Sequence, residues 1–262
     1  MKKVLWSALI LIVAAIIFGL WASRVHAPAP AQSGDILSGV ATSTGLEHLE
    51  DTDLYHIDIT YPAHMPLQAG ADAQARATVE QGLADLVAQF KQDGNFANLT
   101  SQDIAYQNIT PDHKYALIAD YKAFTSTSTA AASYLFTVYE DTLGAHPNGY
   151  FKTFVFDQNG NQLSLAQVLG NNPNWLEELS LLVSDNVVAQ IKQRLGSSLP
   201  QGPEGPDATG VVYQEGLSPN EDNFSNFVVD GSDLVIEIPP YQVAAYAMGS
   251  FEVRVPLSAI NK

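Results

Sequence analysis

The sequence predicts an α+β protein: mostly antiparallel sheets packed with two main helices, preceded by one N-terminal transmembrane helix. Three observations carry this. Short segments of alternating apolar and polar residues lie on both sides of two long segments with apolar spacings of three and four. Turn-forming pairs such as Asn148-Gly149, Asn159-Gly160 and Asp230-Gly231 punctuate the alternating segments. The uncharged, almost wholly apolar run Val4–Ala22 follows Lys2 and Lys3.

At about 1.5 Å per residue, that run spans about 28 Å, close to the hydrocarbon thickness of a bilayer. Lysines before it put the N-terminus in the cytoplasm and the bulk outside. Trp6 and Trp21 sit near its two ends, where aromatic belts lie. A cleaved signal peptide is the alternative. It has a shorter apolar core and an Ala-x-Ala site, which Ala29-Pro30-Ala31 fits loosely. Both readings place the bulk of the chain outside the cytoplasm, as a single-pass membrane protein or a secreted one. Residues 1–31 are read as anchor and linker. Arg24–Gly45, rich in Pro, Ala, Ser and Gly, continues the linker character.

The globular part begins with Leu54–Pro62. Tyr55, Ile57, Ile59 and Tyr61 alternate with His56, Asp58 and Thr60, which predicts a strand with one buried face. Ala71–Gln92 is predicted helical, with Val79, Leu83, Leu86, Val87 and Phe90 on one stripe and Asp93-Gly94-Asn95 as its stop. Ile104–Ile109, Tyr115–Phe124 and Ala132–Glu140 read as strands, with Thr125–Thr129 as a turn or exposed strand end. Tyr150–Asp157 reads as a strand between two Asn-Gly turns. Ser164 is placed to cap a short helical turn. Asn174 is placed to cap a helix over Trp175–Leu195, and Gly196 ends it. Ser197–Gly210 is a loop. Asn226–Val229, Leu234–Ile238 and Phe251–Val255 are three further strands.

Charge limits the partners. Only Lys2, Lys3 and Arg24 are charged before Asp35. From there on 28 acids face nine Lys and Arg, and 9 − 28 gives −19. Such a surface repels nucleic acid and attracts a basic protein. The chain has no cysteine, so disulfides, thiol chemistry and thiolate zinc sites are excluded.

No motif with a catalytic or cofactor-binding mechanism is found, and neither a catalytic residue, a metal site nor a cofactor is assigned. There is no nucleophile elbow, no Walker loop and no dinucleotide-type glycine loop. His48, His56 and His64 recur every eight residues, but one lies on a strand and two flank it, so the spacing fixes no common metal site. Asp157-Gln-Asn159-Gly-Asn161 lacks the closing glutamate of a calcium loop and reads as a turn. His146, before Pro147 in a predicted turn, is either structural or part of a binding loop. Pro239-Pro240-Tyr241 and Tyr246 follow a strand directly. Rigid Pro and Tyr there suit a protein-binding surface, since little entropy is lost on ordering them. A tyrosine packed on the core beside a proline-stopped strand is the other reading.

Two stretches carry a family resemblance. GAHPNGYFKTFVFD with LSLAQVL after it, and FSNFVVDGSDLVIEIPPYQVAAYAMGSFEVRVPLSAI, resemble the paired extracytoplasmic domains of RsiV-type anti-sigma factors. The same pair precedes the catalytic domain of PdaC-type peptidoglycan deacetylases. YHIDITYP and the Ala71–Gln92 helix are similar to the first domain of the pair. Two departures are Leu143 where the family often has Gly, and Ala245 where it often has Pro. The resemblance implies a PdaC-like domain over residues 32–140 and an RsiV-like domain over 141–262. It implies a receptor for lysozyme or for a cell-wall component such as peptidoglycan. The deacetylase domain and its motifs are absent, so a non-enzymatic binding module is expected. The partner-binding residues it implies are His146, Pro147, Asn148 and Gly149 in one loop, with Pro239, Tyr241 and Tyr246. A structural or assembly protein of the envelope without a soluble ligand, or a wall-modifying enzyme, are the alternatives.

Overall fold

The structure, a computed structural model, describes residues 45–127, 130–170, 172–202, 205–206, 208 and 210–260. The expected anchor Val4–Ala22 and most of the linker lie outside the described residues. Among the described residues, no helix is long and apolar enough to cross a membrane.

Strand β1 (Gly45–Asp51) pairs antiparallel with β2 (Tyr55–Pro62), from Gly45 opposite Pro62 to Asp51 opposite His56. β2 follows the alternation of its sequence, with Ile57 and Ile59 buried. Helix α1 (Ala69–Gly94) forms where apolar residues recur every three or four positions. Ala75, Val79, Leu83, Val87 and Phe90 bury one face of it. Asn95, at φ 48°, ends the helix by donating its N–H to the Gln92 carbonyl at 3.1 Å.

The strand expected over Ile104–Ile109 is instead helix α2 (Ser101–Tyr106) and the turn after it. Thr100 Oγ1 accepts the N–H of Asp103 at 3.2 Å, and the Asp103 carboxylate accepts the N–H of Thr100 at 2.9 Å. That reciprocal cap nucleates a helical turn and overrides the β-character of two isoleucines.

β3 (Tyr115–Thr125) lies parallel to β2, which the intervening helices allow. β4 (Ala132–Asp141) and β5 (Asn148–Phe156) continue antiparallel, giving the order β1-β2-β3-β4-β5. The boundary expected between residues 140 and 141 falls inside β4, and β5 pairs with β4 from beyond it. α1 covers one face of this sheet, over Ile57, Leu117, Phe136, Phe154 and Phe156. Each such buried side chain contributes about 1.5–3 kcal/mol.

After β5, Asp157 holds a tight turn by accepting the N–H groups of Asn159 and Asn161 at 2.8 and 2.9 Å. Gly160 is required there. Its φ is 81°, and a Cβ would collide with the Ala71 carbonyl. Helix α3 (Leu165–Leu169) starts at a capping box of Ser164 and Gln167. Helix α4 (Trp175–Leu195) has the expected bounds, but Asn174 makes no side-chain cap. Asn172 works instead. Its Oδ1 accepts the Asn174 N–H at 2.9 Å, and its Nδ2 donates to Glu178 and to the Ile260 carbonyl.

The loop after α4 contains the short ladder β6 (Gln201–Gly202) and β7 (Gly205–Pro206). β8 (Phe227–Asp230), β9 (Asp233–Ile238) and β10 (Phe251–Pro256) form an antiparallel sheet in the order β10-β9-β8, closed by helix α5 (Leu257–Ile260). Leu179, Val183, Val187 and Ile191 of α4 share one core with Leu234, Ile236, Ile238, Phe251 and Val253.

The two sheets meet across β8. The outer-edge N–H groups of β8 and that of Gly231 just after it are each accepted by a different strand of the first sheet. Phe227 donates to Thr153 Oγ1 of β5 at 3.2 Å, Val229 to Ser133 Oγ of β4 at 3.1 Å, and Gly231 to the Thr125 carbonyl of β3 at 3.1 Å. A sheet edge that would otherwise be an open template is thereby closed. Leu135, Val228 and Val235 form the apolar contact between the sheets, flanked by Phe124 and Phe151. Glu237 shares the β9 face of Val235 by the strand period and is buried. Burial first, then the Glu252 carboxylate, pushes its acid group from 4.5 up to about 7, against the opposing effects of Lys122 and Arg254.

Candidate functional site

The β4–β5 connection, residues 142–147, does not turn at Asn148-Gly149. Both of those residues already belong to β5, opposite Glu140 and Tyr139. The left-handed residue of the connection is Leu143, at φ 58°, and its N–H is accepted by Asp141 Oδ1 at 2.8 Å. This is the position where the resembled family often has Gly, the residue that takes such a φ without steric cost.

The second contributing segment follows β9. Pro239-Pro240-Tyr241-Gln242 forms a turn in which Gln242 donates to the Pro239 carbonyl at 3.4 Å. Pro240 precedes a residue with positive φ, as in a type II turn. That residue is Tyr241, at φ 72°, where glycine or asparagine is ordinarily required. Tyr246 opens a 3-10 turn over Tyr246–Met248.

These segments bring four of the seven expected residues into one cluster. The His146 ring stacks on Tyr246 with centroids 4.1 Å apart and planes 22° apart. Tyr241 lies 5.9 Å from His146 and 5.2 Å from Tyr246. The Pro147 carbonyl accepts from His146 Nδ1 at 2.9 Å and from the Tyr246 hydroxyl at 3.0 Å. A carbonyl only accepts, so Nδ1 carries a proton. In the neutral ring Nε2 is then the acceptor for the Tyr241 hydroxyl, 3.0 Å away. Asn148 and Gly149 adjoin the cluster as exposed residues at the start of β5, and Pro239 sets the base of the Tyr241 turn.

Sequence reasoning missed Tyr139, whose hydroxyl interacts electrostatically with that of Tyr246. Burial and the neighbouring Asp141 push its hydroxyl up to about 12, and burial and Tyr241 raise that of Tyr246. Both therefore hold their protons at neutral pH and act as donors. Tyr139 is recognisable only through the ladder that sets it opposite Gly149. Tyr241 is 53% exposed, so its ring offers an accessible aromatic face while its hydroxyl is held. The arrangement presents rigid aromatic surface and oriented dipoles. The three regularly spaced histidines do not converge: His48 pairs with Glu50, His56 with Asp51 and His64 with Asp72. Among the described residues, no three of His, Asp and Glu are placed to hold a metal ion.

Residues 172–258 match a family model described as a protein of unknown function, DUF3298. Comparison with curated proteins finds no match. Two crystal structures are similar to the chain. One is a member of the DUF3298 family from Bacteroides fragilis, 17% identical, covering 83% of this chain and 92% of that one, with a TM-score of 0.49. The other is a DUF3298 family protein from Pseudomonas aeruginosa, 15% identical, covering 84% and 91%, with a TM-score of 0.47. Tyr241 and Tyr246 lie inside the matched span and His146 outside it, so the cluster joins the β4–β5 connection to the span that matches the family model.

Proposed function

We propose that this chain is a membrane-anchored, extracytoplasmic binding module that recognises a lysozyme-like muramidase or a cell-wall component. The observation that carries the reading is the convergence of His146, Pro147, Tyr241 and Tyr246 on one partly exposed aromatic cluster. Three features support it. Tyr241 occupies a backbone conformation unfavourable for tyrosine, and such strain concentrates at functional sites. Its ring is an accessible anchor of the kind enriched at interface centres. The acidic balance of the chain favours encounter with a basic protein.

The resemblance to RsiV-type and PdaC-type extracytoplasmic domains supplies the partner class. The reading is of recognition rather than turnover, because the cluster places donors and rings and activates no nucleophile.

The test is calorimetric titration of the full chain, in detergent, with a lysozyme-like muramidase and with soluble peptidoglycan fragments. Saturable binding of one of them at low ionic strength, weakening as salt rises, is the expected result. Absence of binding to both at low ionic strength would overturn the reading.

A further inference from the structure

β5 is an end strand of the five-stranded sheet, and among the described residues no further strand pairs with its outer edge. Successive residues of an antiparallel strand turn their backbone groups to opposite sides. The Phe156 carbonyl faces β4, where it accepts the Ala131 N–H at 2.7 Å. The Val155 carbonyl faces outward and accepts the Leu163 N–H at 2.8 Å. Thr153 and Phe151, at the same period, also turn their N–H and C=O outward.

The chain itself starts a sixth strand at this edge and abandons it. Gln162 bridges antiparallel to Phe156, Leu163 pairs with Val155, and Ser164 then caps α3 and turns the chain away. Beyond that point the edge is walled on both sides. A groove of about 640 Å³ is lined by Gln74, Thr78, Gln81 and Asp85 of α1 beside Lys152 and Phe154. A recess of about 250 Å³ is lined by Glu221, Asp222, Ser225 and Phe227. Phe154 belongs to the α1 core and Phe227 to the α4 core, so the two hollows lie on opposite faces of the sheet. Thr153 and Gln162 line both.

We propose that this slot takes an extended, basic peptide segment of a partner protein, which adds to β5 as a sixth strand where Leu163 leaves it. The outward N–H and C=O groups of Thr153 and Phe151 supply the ladder. An added strand directs alternate side chains to the two walls. One wall is built of amides and hydroxyls with one carboxylate, Asp85, and one ammonium, Lys152, which offset each other. The other carries the exposed carboxylates of Glu221 and Asp222, which select lysine or arginine. A glycan would need an aromatic face to stack on. The rings that line the two hollows, Phe154 and Phe227, are only 4% and 6% exposed. The slot contains none of the residues of the His146 cluster, so this inference stands apart from the function proposed above.

The probe is a capped nine-residue peptide alternating threonine with valine or lysine, added to the full chain in detergent. Binding is followed by calorimetry and by hydrogen exchange over residues 149–154. Binding with slowed exchange there is expected. Methylating the peptide's nitrogens that face β5 is expected to weaken it at least tenfold, and Tyr241→Ala is expected to leave it unchanged. The methylated peptide leaves the protein untouched, so a loss of affinity cannot be a folding defect. The proposal is overturned by absence of binding, by equal binding of the methylated peptide, by unchanged exchange at 149–154, or by binding of a chito-oligosaccharide in place of the peptide.

Discussion

Tyr241 donates its hydroxyl to Nε2 of His146 at 3.0 Å, across 95 residues of chain, while its own backbone is held at φ 72°. The two facts belong together. The left-handed conformation costs a residue with a Cβ about 1–2 kcal/mol, and here it aims the ring at the β4–β5 connection. Replacement of Tyr241 by Ala keeps that cost and loses the ring, whereas replacement by Gly relieves it. Tyr241→Gly is therefore expected to be more stable than Tyr241→Ala by about 1 kcal/mol in urea unfolding. Both variants are expected to lose partner binding equally. An alanine variant as stable as the glycine variant would show that the turn relaxes without strain.

Ser133 is 1% exposed, and its hydroxyl accepts the Val229 N–H between the sheets. Ser133→Ala leaves that N–H buried without an acceptor. The expected loss is about 1–3 kcal/mol in chemical unfolding, with no change in secondary structure by circular dichroism. A neutral effect would mean that the edge of β8 finds another acceptor.

Glu237 gives stability a pH dependence with a definite sign. Its carboxyl is raised from 4.5 to about 7 in the folded chain, so the folded state holds this proton more tightly than the unfolded one. The favourable contribution is complete below 4.5 and is lost as pH rises through about 7. Glu237→Gln removes this loss. The variant is expected to gain on the wild type between pH 5 and 8, by on the order of 2–3 kcal/mol at the upper end, in urea midpoints taken across that range. A difference that does not change with pH would contradict the assignment.

What the sequence made legible follows burial. β2, α1 and α4 each bury one face continuously, so their apolar periods reveal them with nearly correct bounds. β1 is exposed over almost its whole length, and Gly-Leu-Glu-His-Leu-Glu-Asp carries no alternation to read. α2 is too short for a period, and only the Thr100/Asp103 cap announced it. Asn148-Gly149 has turn chemistry, but pairing with Glu140 and Tyr139 draws it into β5 and moves the left-handed residue to Leu143. Residue types marked His146, Tyr241 and Tyr246. Their mutual contact was not derivable, because it depends on how β4–β5 and the β9–β10 connection meet in space. The Thr153–Leu163 edge left no sequence signal, since its groups are backbone.

The most direct test of the His146 cluster as one recognition unit is a double-mutant cycle on binding. Calorimetric affinities of the full chain for a lysozyme-like muramidase would be measured for wild type, His146→Ala, Tyr241→Ala and the double variant. The expected result is a loss of about tenfold or more for each single change, with the double variant no weaker than the weaker single. Wild-type affinity in both single variants would contradict the assignment of this cluster to partner recognition.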